Sequence, residues 1–116
     1  MTFDDIRRIA LALPGVEERT SYGSAACFVG KKLLVRLKED GQDVVFRMSL
    51  DEKAFLIEAD PATFYETDHY RGWPAVLARL AMLDEATVAH LIERQWRASA
   101  PKKALKAFET GKSADV

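Results

Sequence analysis

The segment His69-Tyr70-Arg71-Gly72-Trp73-Pro74 gathers an imidazole, a phenol, a guanidinium and an indole into one short stretch. Two uses fit those side chains. The rings can plug one end of a core, with Arg71 tied to a carboxylate such as Asp68. Alternatively, the rings and the cation can meet a ligand or a nucleic acid by stacking and charge. Large aromatics contribute most through burial, so packing leads. As a catalytic centre the segment lacks parts. A nucleophile needs a base within hydrogen-bond reach, usually a histidine, and the only histidines are His69 and His90. Asp68 adjoins His69, yet neighbours along an extended loop point apart. Cys27 lies in an apolar run, where a buried and inert thiol is expected. Neither a serine nor a cysteine hydrolase is indicated, and the expectation is a protein that is not an enzyme.

Metal and phosphate chemistry are no better supplied. His90 and Glu93 share a helix face, but two ligands do not make a site. Asp4, Asp5, Glu17 and Glu18 are interleaved with Arg7, Arg8 and Arg19, the mixture of a solvated surface. Gly23, Gly30 and Gly41 stand alone, so no glycine-rich loop cradles a phosphate. No metal and no cofactor is expected.

The basic residues show more pattern. Arg94, Arg97, Lys102, Lys103 and Lys106 follow one another without an intervening acid. Compensation of a helix dipole accounts for the two arginines but does not extend to the lysines after Pro101. A second group, Lys32, Arg36, Lys38, Arg47 and Arg79, falls opposite the apolar residues of the strands that carry it. These side chains would decorate an open sheet face, either as a solvated surface or as contacts to phosphates.

Positioning these groups falls to elements that the hydropathy pattern marks out. Phe3, Ile6, Ile9, Ala10 and Leu13 recur at helical spacing, with Thr2 as N-cap and Pro14-Gly15 as the stop. Val16 to Gly23 reads as a polar connection. Strands follow at Ala25–Val29, Lys32–Lys38 and Asp43–Met48, joined tightly into an antiparallel meander. In the second, Leu33, Val35 and Leu37 share one face and Lys32, Leu34, Arg36 and Lys38 the other. A short helix to Glu58 would use Ala54, Phe55 and Ile57 as its apolar contacts. Strands at Ala62–Glu66 and Ala75–Leu80 flank a loop, Thr67–Pro74. Asp84 caps a long helix to about Ala100, and Pro101 opens a last short helix, Lys102 to Phe108. The order predicts an α+β fold: a two-layer, antiparallel β-sheet with N- and C-terminal helices packed on one face.

Composition bounds the rest. The chain has 116 residues, a net charge of -1 and a single cysteine. That length suits one domain, expected over residues 1–110 with a flexible tail at 111–116. No run approaches the ~20 apolar residues of a membrane helix, and no secretory leader opens the chain. A lone cysteine excludes an internal disulfide, so a soluble protein of the cytoplasm is the default, with no membrane partner. A near-neutral charge leaves any nucleic-acid role to a local patch.

The stretch Thr67-Asp68-His69-Tyr70-Arg71-Gly72-Trp73-Pro74-Ala75-Val76-Leu77-Ala78-Arg79-Leu80 resembles the signature of the MmcQ/YjbR-like proteins. Leu13-Pro14-Gly15-Val16-Glu17-Glu18, Phe28-Val29-Gly30-Lys31-Lys32 and Trp96-Arg97-Ala98-Ser99-Ala100-Pro101-Lys102-Lys103 are similar to the same family, in the expected order. The resemblance implies a CyaY-like fold and DNA binding through a double-wing arrangement. The leading expectation is therefore a non-enzymatic DNA-binding protein using Lys32, Arg36, Lys38, Arg47, Arg79, Lys102 and Lys103. The alternative is a protein-interaction or small-ligand module. Its open sheet face or its loop (His69, Tyr70, Arg71, Trp73) would take the partner, in a concave pocket lined by Tyr70, Trp73 and Tyr65 with Arg71 pointing in.

Overall fold

The computed structural model describes the backbone of residues 1–114 and the side chains of residues 1–110. Helix α1, Phe3–Leu11, is fixed at its start by a capping box: the Asp5 N–H donates to Thr2 Oγ1 and the Thr2 N–H to Asp5 Oδ2. It buries Phe3, Ile6 and Ala10. Strand β1 is Val16–Ser21, where a polar connection was expected. The correction has a physical reason. This is an edge strand, so its charged residues stay wet and the apolar alternation that betrays a strand is missing. Tyr22 and Gly23 turn it into β2, Ser24–Val29. Both have positive φ, 52° and 78°, as a two-residue type I′ hairpin requires.

Strands β3, Lys32–Leu37, and β4, Asp43–Arg47, continue the meander. Helix α2, Leu50–Ala59, is followed by β5, Phe64–Tyr65, which keeps only two residues of the strand expected there. The intervening loop carries a 3-10 turn at Asp68–Tyr70 and leads into β6, Ala75–Arg79. Helix α3, Glu85–Ser99, starts on Asp84, whose carboxylate accepts the Thr87 N–H. Helix α4, Lys102–Ala114, runs past the expected end at Phe108. The expected tail at 111–116 lies outside the described residues in its side chains and, from 115, in its backbone.

The six strands form one antiparallel sheet in the order β1-β2-β3-β4-β6-β5. Helices α1, α3 and α4 cover one of its faces, which is the predicted two-layer α+β architecture. Trp96 lies at the centre of that layer, fully buried. Its indole N–H donates to the Pro14 carbonyl at 2.9 Å, and Phe108 of α4 meets its ring edge-on. A buried indole needs that partner.

A bulge in the middle of β3 changes the expected facing. Cys27 pairs with Val35 and Phe28 with Leu33, so Leu34 has no opposite residue. Leu34 and Val35 both enter the helical core, and Leu33 turns to the open face. Lys32 now pairs with Val29, a core residue, and stands on the helix side of the sheet rather than beside Arg36. In α2 the expected contacts are also revised. Leu56 and Ile57 pack toward the core, Phe55 is 69% exposed, and the buried residue is Lys53.

Candidate functional site

The open face is not flat. In register across the sheet stand Arg19, Ala26, Arg36, Val45, Leu77 and Tyr65. Val45, Ala75 and Leu77 form a second small apolar cluster there, with Tyr65 and Tyr70 packed against it. The loop before β6 and the β1–β2 hairpin rise on either side and enclose a cleft of about 720 Å³. Arg36, Lys38 and Arg47 bring cations to it, Glu39 the one carboxylate, and Tyr22, His69, Tyr70 and Trp73 the rings. The volume falls within the range of small-molecule pockets.

Arg36 is 6% exposed and well held. It donates to the Tyr70 hydroxyl at 2.7 Å, to Glu39 at 3.1 Å and to the Leu37 carbonyl at 3.5 Å, beneath the Tyr22 ring at 5.6 Å. Glu39's carboxyl sits below the usual range, first through a hydrogen bond from its own backbone N–H and then through Arg36. Lys38 and Arg47, both half-buried, form no salt bridge among the described residues. Lys38 still feels the nearby Glu39 and Asp40 carboxylates, whose protons its charge helps to remove, whereas Arg47 has no carboxylate within salt-bridge distance among the described residues.

The aromatic walls are fixed by backbone. Tyr22 is 87% exposed in a left-handed conformation that non-glycine residues avoid. Trp73 is 59% exposed and follows Gly72, whose φ of +78° only glycine adopts freely. Beneath the loop, the Lys53 ammonium donates to the Tyr70 carbonyl at 2.6 Å and the Trp73 carbonyl at 2.9 Å, and pairs with Glu66 at 2.8 Å. All three of its protons are used, which makes its burial tolerable. Lys53 was not foreseen. Its position relative to Leu56 and Ile57, three and four residues on, was the available signal that it shares the inward stripe of α2.

The sheet cations expected to form one strip are divided. Arg36, Lys38 and Arg47 meet in the cleft. Arg79 lies on the same face but is taken up by the Pro61 and Ala62 carbonyls and by the Tyr65 ring, 4.2 Å away. Lys32 faces the helices, and Lys102 and Lys103 are exposed on the first turn of α4 within the helical layer. In the loop, His69, Tyr70 and Trp73 line the cleft, and of these only Tyr70 packs against the sheet. Arg71 bonds Asp68 at 2.7 Å and does not line it. Tyr65 is likewise outside, donating to Asp43, and its hydroxyl is pushed up to about 12 by burial and then by that carboxylate.

His69 meets Tyr70 edge-on at 5.2 Å, and no hydrogen bond joins it to a carboxylate or to Thr67 among the described residues. Cys27 is fully buried, its thiol pushed up to about 11 by desolvation and then by the Glu18 charge. Among the described residues no three His, Cys, Asp or Glu groups could hold a metal ion, and no helix is long and apolar enough to cross a membrane.

The model of the YjbR family matches residues 11–98. The uncharacterized protein Rv2570 of Mycobacterium tuberculosis is 33% identical over 125 aligned residues, covering 92% of this chain and 95% of that one. The uncharacterized protein Mb2600 of Mycobacterium bovis matches to the same extent. Among solved structures, Deinococcus radiodurans protein DR2400, with a DUF419 domain, superimposes with a TM-score of 0.65. It is 16% identical, over 78% of this chain and 72% of that one, a likeness of fold.

Proposed function

The chain belongs to the YjbR family, and from the cleft on its open sheet face we propose that it is a non-enzymatic binding protein for a small anionic ligand. One observation carries this. Three cations and one carboxylate converge in a cleft of about 720 Å³, and two of the cations, Lys38 and Arg47, are half-buried and form no salt bridge among the described residues. Half-buried charges of one sign attract an anion more strongly than exposed ones, because solvent screens them less. The non-enzymatic reading is supported by the lack of any hydrogen-bonded nucleophile and base among the cleft's described residues.

Ribose 5-phosphate, titrated calorimetrically at low salt, tests the proposal. Saturable binding that Arg47→Glu weakens at least about tenfold is expected, the consequence of reversing a charge in direct contact. No binding of any small phosphate or carboxylate would overturn it.

Duplex DNA is the second reading. It is favoured by the exposed Lys102 and Lys103 together with Lys38 and Arg47. These lie on two sides of the molecule, so few could touch one duplex at once. DNA binding that falls with a log–log salt slope of about -4 or steeper would restore it over the cleft.

A further inference from the structure

We infer that the ligand of the cleft is an aromatic anion: a flat ring that stacks on Trp73, carried on an anionic group that meets Arg47. The inference rests on the cleft being an anion site and adds what its walls say about the rest of the ligand.

Six large hydrophobic side chains are exposed among the described residues, and two of them, Tyr22 and Trp73, line this one cleft. Neither is exposed by default. Tyr22 is held in a strained left-handed conformation, a kind of strain that clusters at functional sites. Trp73 is presented by a loop whose every support is internal. Its carbonyl is fixed by Lys53, its N–H donates to the Tyr70 carbonyl at 3.1 Å, and Gly72 and Pro74 set the backbone around it. A loop anchored this firmly under an indole that remains 59% exposed presents the ring with no stacked ring or cation on it among the described residues.

Register places the cation beside it. Ala75, two residues after Trp73, pairs with Arg47 across β4 and β6, and the Ala75 N–H donates to the Trp73 carbonyl. Lys38 and Tyr22 stand at the other end of the cleft, where the Lys38 backbone N–H donates to the Asp43 carbonyl and closes the β3–β4 hairpin. Asp43 and Arg47 are four residues apart on one strand, about 13 Å. Each end of the cleft therefore offers a ring and a cation, and the Trp73–Arg47 end is the one with a supported loop behind it. Stacking tolerates any flat ring, so the chemistry selects a class rather than one compound.

Trp73 and Trp96 are the chain's two tryptophans, and Trp96 is fully buried, so quenching of fluorescence by a stacking ligand reports Trp73. Adenosine 5′-monophosphate, ribose 5-phosphate and adenosine serve as probes against the full chain. The nucleotide is expected to quench the emission and to bind about tenfold or more tightly than the sugar phosphate, the gain that one stacked base brings. Trp73→Ala should remove that gain, so that the variant binds the nucleotide no more tightly than it binds ribose 5-phosphate, and Trp73→Tyr should restore most of it. Equal affinity for the nucleotide and the sugar phosphate, without quenching, would overturn the ring and leave the anion site standing. Adenosine binding as tightly as its phosphate would overturn the anionic half. If none of the three binds, the cleft is not an anion site and both readings fall together.

Discussion

On the helical side of the sheet, Cys27, Val35, Phe46 and Val76 form one row across four strands, and none is more than 1% exposed. On the other side the row is Arg19, Ala26, Arg36, Val45, Leu77 and Tyr65, half of it charged or hydroxylated. The same strands, alternating residue by residue, build both. Helices close the first row, and their burial of apolar area is what holds the fold together. A loop and a hairpin close the second only in part. Its polar groups are therefore answered singly, Arg36 by Tyr70 and Glu39, Arg79 by two carbonyls, Tyr65 by Asp43. Among the described residues Lys38 and Arg47 form no salt bridge, and the Tyr22 and Trp73 rings stay largely exposed at the cleft. One face holds the apolar core and the other holds the cleft.

That contrast is broken most directly by truncating one large residue on each face. Phe46→Ala should cost about 3–5 kcal/mol in chemical denaturation, because a fully buried ring leaves a cavity among fixed neighbours. Leu33→Ala, on the open face and only partly buried, should cost less, about 1–2 kcal/mol. Equal losses would mean that the open face is a core in its own right. Next in size is Lys53, which serves the open face from below. Lys53→Met strands the Tyr70 and Trp73 carbonyls and the Glu66 carboxylate, at a cost of about 1–3 kcal/mol. Amide hydrogen exchange should quicken in residues 67–74 far more than in β3 or β4. Uniform quickening would show Lys53 to be an ordinary structural residue.

Cys27 sharpens the comparison from the closed side. Its thiol is raised from its ordinary 9.0 to about 11, chiefly by burial. Below pH 9 it is protonated in folded and unfolded chains alike, and its contribution is intact. Between pH 9 and about 11 only the unfolded chain ionises it, so stability falls as pH rises through that window. The loss attributable to Cys27 is on the order of 2 kcal/mol by pH 11, measured as the difference in slope between wild type and Cys27→Ala. Matching slopes would sink it.

How far the sequence reveals each face follows from what patterns each. The closed face was legible: the helical spacing of Phe3, Ile6 and Ala10 leads to the observed core. So was the two-layer α+β arrangement. The open face was legible in part, because Arg36, Arg47 and Arg79 do alternate with apolar residues as expected. What hid the remainder was local. One unpaired residue, Leu34, moves Lys32 to the other side of the sheet. The polar edge strand β1 carries no alternation, so the hairpin that lifts Tyr22 over the cleft went unseen. The role of Lys53 depends on a loop that comes 17 residues later. Tertiary closure by loops leaves little trace in periodicity, and the candidate site is made of such closures.

Tyr22 gives the smallest effect and the most direct test of which face it serves. At φ 52° its backbone is strained, and asparagine tolerates that conformation better than an aromatic does. If Tyr22 were there for stability, the ring's contact with Arg36 would have to outweigh the strain, yet the ring is 87% exposed and such a contact is worth little in water. Tyr22→Asn should therefore leave stability unchanged or raise it by about 0.5–1 kcal/mol. Over the same substitution, affinity for an aromatic anion should drop if the ring lines the occupied end of the cleft, and stay if the ligand sits wholly at Trp73. A loss of stability instead would return Tyr22 to the side of the molecule that holds the fold together.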